Sequence, residues 1–162
     1  MFGACGVISF NGNKIITTGG GGAVITNDNT LAQRVRLLAT TAKRPHTYEY
    51  WHDELGYNYR MPALNAALGI AQMKRLEAML LAKARLSKAY ENAFMLSTSA
   101  KFFVGEEIVL SNNWLNAISL NDEYLTARNK VLDGLNETGF GCRPVWRLLC
   151  DLPHFVGCPA ME

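Results

Sequence analysis

Apolar and polar positions alternate in blocks along the first third of the chain. Val7 to Phe10 is an apolar run between Gly6 and the Asn11-Gly12-Asn13 cluster, which predicts a strand ending in a turn. Ala23 to Thr26 predicts a second strand, leading into Asn27, Asp28 and Asn29. Those short polar side chains can cap a helix, and Leu31, Val35 and Leu38 recur behind them at helical spacing. Strand, loop, strand and helix together predict an α/β layer, with at least one sheet covered by helices.

From Thr41 to Asn58 no period is visible. The stretch "KRPHTYEYWHDELGYNYRMP" is rich in aromatics, histidine and charge. Such side chains bury well and keep polar ends, which suits an interface or site wall, and a packed surface loop suits the composition equally. Pro62 fits the first turn of a helix continuing to about Phe94. Its opening, "ALNAALGIA", is apolar nearly all round and predicts burial on several sides. After Gln72 the pattern turns amphipathic, with Leu76, Met79, Leu80 and Leu86 opposite a basic face. Farther on, Trp114 to Leu120 predicts a strand. Asn121 or Asp122 can cap a helix through about Asn136, which Gly139 stops. Gly141 to Trp146 predicts a further extended segment, and the tail "LPHFVGCPAME" has no capping element behind it.

Composition narrows the function classes. The chain has 162 residues, 49% of them apolar and 19% charged, with a formal net charge of +2. That balance belongs to a soluble globular protein and gives no case for nucleic acid as a partner. No apolar run reaches the length of a membrane span, and no secretory signal pattern is present at Met1, so the expected location is the cytoplasm. Cys5, Cys142, Cys150 and Cys158 form no CxxC pair and match no zinc spacing, so no metal is expected.

The candidate chemistry lies in "SFNGNKIITTGGGGAVITND", where Ser9 and Lys14 precede four consecutive glycines. A nucleotide phosphate loop needs glycines first and the lysine at the following helix start, and here the order is reversed. A dinucleotide fingerprint fails because no helix opens at the glycines. A covalent lysine site fits better. It needs an amine restrained after a strand, and a hydroxyl such as Ser9 nearby could hold a phosphate-bearing ligand in register. A solvated lysine beside a turn is the plain alternative.

The same string, followed by "HDELGYNYRMPALNAALGIAQMKRL", "NNWLNAISL" and "CRPVWRLLCDLPHF", resembles the DegT/DnrJ/EryC1/StrS sugar aminotransferases. Those are fold-type I enzymes dependent on pyridoxal 5′-phosphate (PLP), and the resemblance is greatest to the legionaminic-acid and perosamine branch. It implies an α/β chain comprising the end of the large PLP-binding domain, residues 1–75, and most of the small C-terminal domain, residues 76–162. It also implies that Lys14 anchors the cofactor covalently and then acts as general acid and base. Ser9 would bind the cofactor phosphate, and Asn58 would reach the phosphate held by a neighbouring subunit, making a homodimer part of the site. The implied substrates are glutamate and a nucleotide-linked 4-keto sugar, in polysaccharide or glycan precursor synthesis. His52, Tyr57, Arg60 and Arg143 are candidate substrate or interface residues, each read more readily as structural.

The family's upstream aspartate, which pairs with the pyridine nitrogen, has no counterpart in this sequence. The expectation is therefore an internal fragment with little or no transaminase activity of its own. The rival expectation is an inactive remnant that serves only as an association module.

Overall fold

The structure is a computed structural model, and it describes residues 3–106 and 108–158. Two compact units divide between Ala84 and Arg85. In the first, β1 (Gly6–Ser9) pairs antiparallel with β2 (Gly22–Ile25), Ser9 facing Gly22 and Gly6 facing Ile25. Val7, Ile8, Val24 and Ile25 supply the β-branched side chains that favour a pleated ribbon. Helix α1 (Asn29–Ala39) follows. Asp28 caps it, its carboxylate accepting from the Thr30 and Leu31 amides at 2.8 and 3.2 Å. The predicted strand, loop, strand and helix are all present.

The aperiodic stretch contains a small ladder that periodicity misses. There β3 (Lys43–Arg44) pairs with β4 (Trp51–His52), two residues on each side. Elements this short leave no alternation to read. The long predicted helix is two helices, α2 (Ala63–Met73) and α3 (Leu76–Phe94). Between them the Arg75 amide bonds the Gln72 carbonyl at 2.9 Å, a tightened turn. Lys74 and Arg75 are good helix formers, so the sequence carries no signal for this break.

In the second unit β5 (Ala100–Phe102) pairs with β6 (Ile118–Leu120). The strand expected from Trp114 is confined to its last three residues. Upstream, Asn113 has φ 52°, and the Asn113 and Trp114 amides bond the Ser111 hydroxyl and the Asn112 side chain instead of a ladder. A 3-10 segment, Asp122–Ala127, leads into α4 (Arg128–Glu137). Gly139, at φ 89°, ends it, and the Phe140 amide bonds the Leu135 carbonyl at 2.9 Å. Residues 141–146 form no strand, and two short 3-10 turns follow, Leu149–Asp151 and Pro153–Phe155. The end of the expected uncapped tail, residues 159–162, lies outside the described residues.

Burial is sparse. Among the described residues only Ala42, Ala100 and Thr18 are buried. The accessible surface is 13902 Å². Two compact units of half this mass would together expose about 9,700 Å². The excess is apolar in part: Leu64 and Ile70 on α2 are 83% and 62% exposed, as is Val7 on β1 at 79%. The burial on several sides expected for "ALNAALGIA" is therefore not supplied by the described residues. Asn65, Ala66 and Gly69 on one side of the helix are half-buried, while Leu64, Leu68 and Ile70 stand exposed.

Candidate active site

The β1–β2 connection is a closed loop rather than an open excursion. The Phe10 amide donates to the Gly21 carbonyl at 2.9 Å, and the Phe10 carbonyl accepts from the Thr18 amide at 3.1 Å and the Thr17 hydroxyl at 2.9 Å. Residues 11–17 are thus pinned at both ends to Phe10. Within them the Lys14 amide bonds the Asn11 carbonyl at 3.0 Å, a turn that fixes the backbone carrying the lysine. Lys14 is half-buried there.

The glycines serve this loop. Gly19 and Gly21 sit at φ 80° and 92°, values that a side chain would strain, and they turn the chain back toward β2. Gly22 faces the strand itself: a Cβ there would lie 2.4 Å from the Ile8 carbonyl oxygen. Close approach of two backbones is what the glycines permit.

Ser9 ends β1 beside this loop. Its Oγ accepts from the Asn11 amide at 3.3 Å and so keeps its own proton for another acceptor. The structure therefore carries Ser9 and Lys14 at the same end of one hairpin. Asn58 stands on a different segment. It forms an isolated antiparallel bridge with Thr40 at the end of α1, and its side chain is exposed. Its neighbours Tyr57 and Tyr59 stack with ring centroids 5.1 Å apart. The Tyr57 and Tyr59 amides bond the Leu38 and Ala39 carbonyls at 2.7 and 2.9 Å.

Of the other candidates, His52 has a local partner, its Nδ1 lying 2.8 Å from the Thr41 carbonyl. Arg60 and Arg143 are exposed. Two groups in this unit were not singled out by the sequence. Asn65, in the first turn of α2, donates from Nδ2 to the Thr18 carbonyl at 2.5 Å. Beside that contact an apolar cleft of about 520 Å³ opens between the hairpin (Phe10, Ile16, Thr18) and α2 (Gly69, Ile70), with Met61 at its wall. The lone amide in an apolar helical run was the available signal for Asn65.

The second group is an ion cluster. Arg44 Nε donates to both oxygens of Asp53 at 2.9 and 3.0 Å, and Glu54 accepts from Arg34 and Arg44. The hydrogen bond from Arg44 holds the Asp53 carboxyl below its usual range, and that from Arg34 does the same for Glu54. The cluster ties α1 and β3 to the segment that follows β4. Its four members are spread from 34 to 54, so no spacing announces them. Among the described residues no group of three His, Cys, Asp or Glu side chains could hold a metal ion, and no helix is long and apolar enough to cross a membrane.

Comparison with known proteins gives this geometry a context. The GDP-perosamine synthase of Caulobacter vibrioides is 35% identical over 157 residues, covering 95% of this chain and 42% of that protein. The solved structure of Helicobacter pylori PseC, an aminotransferase involved in the biosynthesis of pseudoaminic acid, superposes with a TM-score of 0.87 at 22% identity, over 99% of this chain and 44% of that one. A GDP-4-keto-6-deoxymannose-3-dehydratase with a trapped PLP-glutamate geminal diamine superposes with a TM-score of 0.78 at 21% identity, over 89% of this chain and 41% of that one. At those identities the two structures speak for the fold, a part of the fold-type I architecture. The chain spans about two-fifths of the length of the relatives it matches. Residues 1–157 match the sequence model of the DegT/DnrJ/EryC1/StrS aminotransferase family, and the chain belongs to that family.

Proposed function

We propose that this chain carries the covalent-anchor part of a PLP-dependent aminotransferase that moves an amino group from glutamate to a nucleotide-linked 4-keto sugar. The observation that carries the reading is the closed loop: Lys14 rides on a segment pinned twice to Phe10, with the Ser9 hydroxyl at the adjoining strand end. The residues present fit the cofactor in two respects. The amine of Lys14 suits its aldehyde, and Ser9 has a proton to give to its phosphate. When bound, PLP supplies the electron sink for breaking a bond at the amino-bearing carbon.

The chain's own residues do the rest. Lys14 Nζ would hold the cofactor by its aldehyde and, once its amine is released, would serve as the base and acid that carries a proton between two carbons. The Phe10–Thr18 closure would hold the backbone that carries that amine in place. Ser9 would donate its hydroxyl proton to the phosphate and so anchor that end of the cofactor. Asn58, exposed and on a separate segment, would reach the phosphate held by a second copy in a homodimer. Residues 1–75 would then finish the cofactor-binding domain, and 76–162 would belong to a smaller domain. A nucleotide-sugar substrate makes the cytoplasm the working compartment. The perosamine relative supports this substrate class.

A spectrophotometric titration with PLP tests the reading. The visible absorbance of a lysine-bound pyridoxal group should develop in the chain and be absent in Lys14→Ala. Ser9→Ala should weaken binding about ten- to a hundredfold, the worth of a hydrogen bond to a charged phosphate. Equal titration curves for the three proteins would overturn it. The 13902 Å² of accessible surface favours a second reading, a non-catalytic module that associates through its exposed apolar faces. That reading predicts concentration-dependent association with no Lys14-dependent absorbance.

A further inference from the structure

We infer that Asn65 is a positioning residue for Lys14, latching helix α2 to the base of the lysine loop. The inference rests on reading Lys14 as the anchor, and three observations that do not depend on one another carry it. Asn65 Nδ2 donates to the Thr18 carbonyl at 2.5 Å, forty-seven residues back along the chain. Thr18 is the residue whose amide closes the loop on Phe10, and it is 3% exposed, the one buried polar residue among those described. One turn along α2, Gly69 lets the helix approach the same residue: a Cβ there would lie 2.8 Å from Thr18 Cγ2. Helix and loop therefore meet at Thr18 through a polar bond on one side and a steric fit on the other.

The consequence concerns a backbone that glycines alone would leave loose. Residues 19–22 are four glycines, two of them at positive φ, and the bonds that hold them come from the hairpin itself: the Gly19 amide to the Thr17 hydroxyl, the Thr18 hydroxyl to the Gly20 carbonyl and the Phe10 amide to the Gly21 carbonyl. The Thr18 carbonyl is the last point before the glycines at which a rigid element can grip. Holding it there fixes where the Phe10 closure forms and hence where the turn at Lys14 stands relative to Ser9. An asparagine in an otherwise apolar helical run is otherwise a poor choice, because its amide prefers water or turns. The bond to Thr18 gives that amide its partner.

Amide hydrogen exchange on the full chain reads the latch directly. Asn65→Leu keeps the size and removes the donor, and it should speed exchange at the Thr18 and Lys14 amides about fivefold. The β1 and β2 amides, and the Ala66 amide inside α2, should be unchanged. Asn65→Gln keeps the donor and should restore protection, which a change in packing alone would not do. Gly69→Ala is the second variant. Alanine strengthens a helix, so α2 exchange should slow while Thr18 and Lys14 speed up, an opposition that general destabilisation cannot produce. Unchanged Thr18 exchange in both variants, a uniform rise across the unit, or an unprotected Thr18 amide in the unsubstituted chain would each overturn the inference. Borohydride reduction after PLP treatment then separates the two readings. Exchange that responds in a chain giving no Lys14 adduct retains the latch and removes the anchor. An adduct on Lys14 with unresponsive exchange removes the latch and retains the anchor.

Discussion

Replacing Gly56 with alanine should be among the most damaging conservative changes in the first unit. A Cβ at that position would lie 2.3 Å from the Ala42 amide nitrogen and 2.4 Å from the Thr41 carbonyl carbon, all backbone atoms. Ordinary contact begins near 3.4 Å, so the two segments must separate by about 1 Å. The segment beside Gly56 is held by short bonds: Thr41 amide to Tyr57 carbonyl at 2.9 Å, Tyr57 amide to Leu38 carbonyl at 2.7 Å and Tyr59 amide to Ala39 carbonyl at 2.9 Å. A retreat of that size lengthens all three beyond bonding range. At about 1 kcal/mol net for each, the loss is about 3 kcal/mol. Thr41 and Ala42 already sit at φ 66° and 52°, and Ala42 is fully buried, so this backbone has no slack to offer. Exchange at the Thr41, Tyr57 and Tyr59 amides should therefore rise by about two orders of magnitude. Gly20→Ala, whose Cβ meets nothing within 4 Å, is the control and should change stability by less than about 0.5 kcal/mol. A Gly56→Ala chain with Thr41 and Tyr57 as protected as in its parent would refute the steric reasoning.

Three further outcomes follow from the same coordinates. Asp28→Ala removes the acceptor for the Thr30 and Leu31 amides and should cost α1 about 1 kcal/mol, read as lost helical ellipticity and faster exchange at those amides. Asp53 and Glu54 have lowered folded-state pKa values, so their contribution is complete above the usual carboxylate range and is lost as pH falls through the lower folded values. The acid-induced NMR shift changes of the Arg44 amide should therefore appear only below the usual carboxylate range, and Asp53→Asn with Glu54→Gln should abolish that acid transition. Leu64→Gln and Ile70→Gln, at positions 83% and 62% exposed, should change unfolding by less than about 0.5 kcal/mol while reducing self-association in sedimentation.

Local chemistry was the legible part of this sequence. The β-branched runs at 7–10 and 23–26, the Asp28 cap and the Gly139 stop each act through neighbouring residues, and the structure shows a strand or helix end at each. The β3–β4 ladder, the break at Lys74–Arg75 and the ion cluster depend on contacts across many residues. No period or turn residue encodes those. Apolar periodicity reports that a face wants covering without saying what covers it, which is why "ALNAALGIA" reads as buried and stands exposed. At the candidate site, Lys14 and Ser9 stood out because a lysine and a hydroxyl frame a glycine run. Asn65 and Thr18 did not: a lone amide interrupts the apolar run at Asn65, yet nothing in the local pattern names its partner forty-seven residues away.

Peptide mapping after treatment with PLP and borohydride tests the central claim most directly. If Lys14 is the covalent anchor, the reduced pyridoxyl group is found on the peptide containing Lys14, and Lys14→Arg leaves the protein unmodified at matched reagent. A label spread over other lysines such as Lys88 on α3, or one on Lys14 that persists undiminished when Ser9 is replaced by alanine, contradicts the account.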